Sequence, residues 1–95
     1  ADGSGNRVAA LSYGPTNVLL IVGINKIVDS LEDGFKRVMD VAATKNIDRM
    51  NKKAISFGKE PKYNLDNIAR KFSWIKADDE KGRIIIILVD EELGY

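Results

Sequence analysis

Two short stretches hold the residue types and spacings that could meet a ligand. The first is Asp2-Gly3-Ser4-Gly5-Asn6-Arg7, in which Gly3 and Gly5 let backbone amides approach an anion and Arg7 adds a guanidinium fork. The second is Gly23-Ile24-Asn25-Lys26, directly after the apolar run Val18 to Val22. In open α/β sheets ligands lie outside the carboxyl ends of the strands, where free amides and nearby cations receive them. The candidate ligand-binding set is therefore Gly3, Gly5, Asn6, Arg7, Gly23, Asn25 and Lys26, and the ligand expected there is a small carboxylate or phosphate. A plain structural reading stands beside it. Gly3 and Gly5 could simply form a turn, Arg7 could pair with a surface carboxylate, Asn25 could cap a turn, and Lys26 could point to water.

Composition removes much other chemistry. Cysteine and histidine are both absent, which excludes disulfides, thiolate nucleophiles, zinc-thiolate and iron-sulfur ligation, and the commonest general base. No metal site or cofactor is expected, and no residue is assigned a catalytic role. Fifteen basic residues against fourteen acidic leave a formal charge of +1, too even a balance to argue for nucleic acid or an anionic membrane. The longest apolar run, Ile84 to Val89, is far shorter than the ~20 residues a membrane helix needs. No secretory signal is visible, so the cytoplasm is the default expectation. At 44% hydrophobic and 31% charged, the 95 residues read as one small globular unit.

The elements that must position the candidate residues follow from periodicity. Asn6 can cap a short helix over residues 7 to 11, ended by Gly14 and Pro15, with a strand as the rival. Residues 18 to 23 are continuously apolar and β-branched, as in a strand buried on both faces. Asp29 and Glu32 stand at capping-box spacing before Leu31, Phe35, Val38, Met39 and Ala42, which recur as a helical stripe, and Ile47, Met50 and Ala54 extend it more weakly. Residues 56 to 62 read as a loop. Asn64 can cap a helix carrying Leu65, Ile68, Ala69 and Phe72, with Trp74 and Ile75 closing against the core and Arg70-Lys71 on its exposed face. Residues 83 to 89 form a second buried strand.

Strand, helical stretch, strand is the grammar of a parallel βαβ unit. The fold class expected is α/β, with a mainly parallel sheet and flanking helices. Two strands cannot bury both faces of a sheet, so the unit reads as an incomplete half-domain, and self-association or a missing N-terminal half would supply the neighbours.

Taken in order, DGSGNRVAAL, YGP, the strand ending VGINKIV, the helix beginning SLEDGFKRV and the closing VDEELGY resemble the C-terminal half of the LUD (lactate-utilisation) domain family. The resemblance implies that residues 1 to 95 are the C-terminal part of one such α/β domain, similar in fold to sugar-phosphate isomerases and CoA transferases. It implies a place in bacterial lactate and organic-acid utilisation, with iron-sulfur redox subunits as partners. The chain departs from the pattern at Thr44, where many relatives have proline, and across 45 to 82, which lacks the cysteine cluster of many relatives. CoA transferases use a glutamate nucleophile, but nothing around Glu91 and Glu92 matches that site.

Three functions remain open at this point: a component binding a small anion or a redox partner, an isomerase- or transferase-type enzyme completed by another half, and a structural docking module. Arg7 and Lys26 discriminate among them. If both line one cleft, binding or catalysis gains; if they diverge into solvent, docking gains.

Overall fold

The computed structural model describes every residue from Ala1 to Tyr95. Its sheet is made of β1 (Val18–Gly23) and β2 (Ile84–Val89), which run parallel with Val18 opposite Ile84 and Gly23 opposite Val89. The expected α/β architecture with a parallel strand pair is therefore present, joined by a helical crossover.

Before β1, α1 (Asn6–Ser12) forms as a helix, not as the rival strand. Its cap differs from expectation. Asn6 is the first helical residue, and Gly5 occupies the cap position at φ 97°, in the left-handed region that glycine enters without a Cβ penalty. The capping oxygens come from Asp2, whose carboxylate accepts from the amides of Gly5, Arg7 and Val8. Those amides hold the carboxyl below the usual range, Gly5 contributing most, then Val8 and Arg7.

After β1, a 3-10 turn (Ile24–Lys26) leads to α2 (Leu31–Arg37). Ser30 caps α2 by accepting from the Asp33 amide at 3.0 Å, one residue later than the cap expected at Asp29. A π-helical segment (Val38–Ala43) and α3 (Thr44–Ser56) continue without a break, since the junction residues Arg37, Val38, Ala43 and Thr44 all keep right-handed helical angles. Thr44 supports the passage, its hydroxyl donating to the carbonyls of Asp40 and Val41 at 2.9 Å.

The helix expected from Asn64 is shorter than its apolar spacing suggested. In α4 (Leu65–Ile68), a full capping box between Asn64 and Asn67 starts the helix. One turn later the backbone turns aside, because the amides of Arg70 and Lys71 donate to the Asp2 carbonyl and the Asp2 amide donates to the Lys71 carbonyl. Phe72 leaves the helix and stacks on Phe35, ring centroids 4.4 Å apart.

Only Ala43 and Gly23 are fully buried. The expectation of strands buried on both faces, and of Trp74 in the core, is overturned. Leu19 and Ile21 of β1 and Ile85 and Ile87 of β2 share one face and all lie exposed, and Trp74 is 69% exposed. The accessible surface of 7407 Å² compares with about 5,400 Å² for a folded monomer of this mass. The radius of gyration, 14.9 Å, likewise exceeds the roughly 12 Å expected of a compact chain this long. The helices pack mainly on one another and leave the sheet half uncovered, which is consistent with a half-domain.

Candidate functional site

The carboxyl ends of β1 and β2 are tied together before they reach the site. Ile24 donates its amide to the Glu91 carbonyl, and the Asn25 side chain both accepts from the Leu93 amide at 3.0 Å and donates to the Gly94 carbonyl at 3.2 Å. Gly23 makes this approach feasible. A Cβ on it would stand 2.5 Å from the Leu93 nitrogen and 2.7 Å from the Glu91 oxygen. The Asn25 carbonyl in turn accepts from Arg37 Nε at 2.8 Å, so one turn holds the post-β2 loop on one side and orients a guanidinium on the other.

Against this frame opens a cleft of about 640 Å³, lined by Arg7 from α1, Lys26 from the 3-10 turn, Arg37 from the end of α2, and Asn46 and Arg49 from α3. Its floor is one stripe of the continuous helix, in which Gly34, Val38, Ala42 and Asn46 follow one another every four residues. Val38 and Ala42, expected in a core stripe, thus form the bottom of an open cleft. Small side chains there keep the floor low, while the cations stand at its margin.

The electrostatics are one-sided. Four cationic side chains and no acidic side chain line the cleft, and none of the four takes part in an ion pair. Arg7 and Lys26 make no side-chain hydrogen bond, and Arg49 donates only to the side-chain oxygen Oδ1 of Asn46, at 2.9 Å through Nη2 and 3.3 Å through Nε. Partial burial pushes the Lys26 ammonium below the usual lysine range, and the Arg37 charge adds to the shift. Lys26 Nζ lies close over the loop backbone, 3.6 Å from where a Gly94 Cβ would be.

Arg7 and Lys26, distant in sequence, therefore meet in one cleft. Gly3 and Asn6 fall in an adjoining recess of about 530 Å³ that shares Arg7, Asn46 and Arg49 with the cleft. Gly3 also permits close contact with α4, since a Cβ there would stand 2.6 Å from the Asn67 carbonyl oxygen. Gly5, Gly23 and Asn25 line neither space and act on the backbone that frames them. The amide that Gly5 was expected to offer to a ligand is directed instead, with those of Arg7 and Val8, at the chain's own anion, Asp2. Arg37, Asn46 and Arg49 were absent from the sequence-derived set. Their signal was polar residues recurring at helical spacing on the same stripe as Val38 and Ala42.

The residues present no metal centre, as no group of acidic side chains converges. No helix is long and apolar enough to cross a membrane. No curated protein and no solved structure matches the chain. The profile of the LUD domain does match, over residues 1–89, and it covers the glycine-rich loop, both strands and the helical crossover that build the cleft. On that match the chain belongs to the LUD domain family.

Proposed function

We propose that this LUD-family chain is a binding component in lactate or organic-acid utilisation, and that it holds a small carboxylate or phosphate in the cleft at the carboxyl ends of its strands. The observation that carries the reading is the convergence of Arg7, Lys26, Arg37 and Arg49 without a carboxylate partner. Lys26 and Arg37 are half-buried, and a bound anion would offset the cost of holding their charges there.

Titration calorimetry with inorganic phosphate and with lactate tests it. Lys26→Ala should weaken binding about tenfold, the loss of one charge-assisted contact, while the unfolding midpoint stays within error. Equal affinity for the variant and the natural chain would remove the site.

A further inference from the structure

We propose that the anion taken by this cleft carries at least two phosphate-type charges on an organic body, with the charged groups among the four cations and the body in the adjoining recess. The inference rests on the cleft being the binding site and specifies its ligand class. A monocarboxylate such as lactate brings one negative charge and one pair of acceptor oxygens, enough for a single guanidinium fork. Here four cations come from three elements, α1, the 3-10 turn and the continuous helix of α2 and α3, and none is matched within the chain. One carboxylate would leave most of them facing each other across a space of about 640 Å³, room for on the order of twenty waters.

The two neighbouring walls differ in degree. The cleft has no acidic side chain, whereas the adjoining recess adds Asp2 and Arg70 to the shared Arg7 and Arg49 and is otherwise lined by neutral groups, among them Tyr63, Asn67, Ile68 and Met50. The spaces communicate past Arg7, Asn46 and Arg49. A charged head beside a polar-apolar body is the pattern of a diphosphate ester. Because Asp2 already occupies the α1 amides, side chains would have to hold the head. Arginine forks match phosphate oxygens bidentately, and three of the four cations are arginines.

Calorimetry on the whole chain with pyrophosphate, inorganic phosphate and lactate at one ionic strength decides the point. Pyrophosphate is expected to bind at least about tenfold more tightly than either single anion, since it can engage a second fork. Arg49→Gln, which removes one guanidinium of the cleft at an exposed position, should weaken phosphate binding as well but pyrophosphate binding more, narrowing that preference to about threefold or less, and an undiminished preference would count against the inference. Lactate or phosphate binding as tightly as pyrophosphate would overturn the polyanion inference and leave the site standing. Failure of all three to bind would overturn the site reading itself.

Discussion

At the amino ends of the strands, Arg83 donates through Nε to the Pro15 carbonyl at 2.9 Å and through Nη1 to the Leu11 carbonyl and the Asp78 carboxylate at 3.0 and 2.8 Å. At the carboxyl ends, Arg7, Lys26, Arg37 and Arg49 surround an open cleft and share no carboxylate. The same chemistry is used in opposite ways. Arg83, whose side chain is 9% exposed, is consumed by the fold; it ties the loop before β1 to the start of β2. The cleft cations remain available for something outside the chain. Backbone carbonyls reach the Arg83 guanidinium from two sides, whereas the Asn25 carbonyl holds Arg37 only through Nε.

The contrast can be broken at either end. The largest expected effect is from Arg83→Ala, which removes charge-assisted bonds to two carbonyls and to Asp78 and should cost about 3 kcal/mol in urea unfolding, with no change in anion affinity for the molecules that remain folded. Gly23→Ala should come next, at about 1 to 3 kcal/mol, because its new Cβ drives Leu93 and Glu91 away. Unlike Arg83→Ala it should also weaken anion binding, since the displaced loop is the wall beneath Lys26. Parallel melts and titrations separate the two outcomes.

Smaller effects sharpen the comparison. Lys26 has a folded-state pKa below its unfolded value. The unfolded chain therefore holds the proton more strongly, and the cost of burying Lys26 is relieved as pH rises through the folded pKa. An anion beside the ammonium favours its charged form, so binding should take up protons and weaken with rising pH through the lysine range. Calorimetry in buffers of different ionisation heat reads this directly, and Lys26→Arg should abolish it. Smallest is Gly34→Ala, whose methyl would make only an ordinary 3.5 Å contact with Val28. It should raise stability by about 0.5 to 1 kcal/mol through helix propensity while slightly narrowing the cleft floor, visible as a higher melting midpoint with reduced affinity.

Much of this arrangement was legible in the residues. The positions of β1 and β2 and the helical nature of 31 to 54 follow from apolar runs, spacing and turn residues, while α1 had a strand as its rival and the meeting of Arg7 with Lys26 was left open. The cap positions were less legible, because Asp29 and Ser30 are adjacent and both have cap chemistry; the Ser30 hydroxyl is the one that reaches the Asp33 amide. The length of α4 was hidden for a different reason. Its apolar spacing continues to Phe72, but Asp2, far away in sequence, captures the backbone at Arg70 and Lys71.

What the sequence by itself determined about this protein was its grammar: which segments extend and which coil. Those outcomes depend on side-chain period, backbone freedom and composition, all local quantities. Tertiary structure alone decided that Asp2 fills the amides of α1, that Asn25 clasps the loop after β2, and that Arg37, Asn46 and Arg49 join Arg7 and Lys26. Each of these is a contact between groups far apart in the chain, and its strength depends on distances that no local pattern encodes.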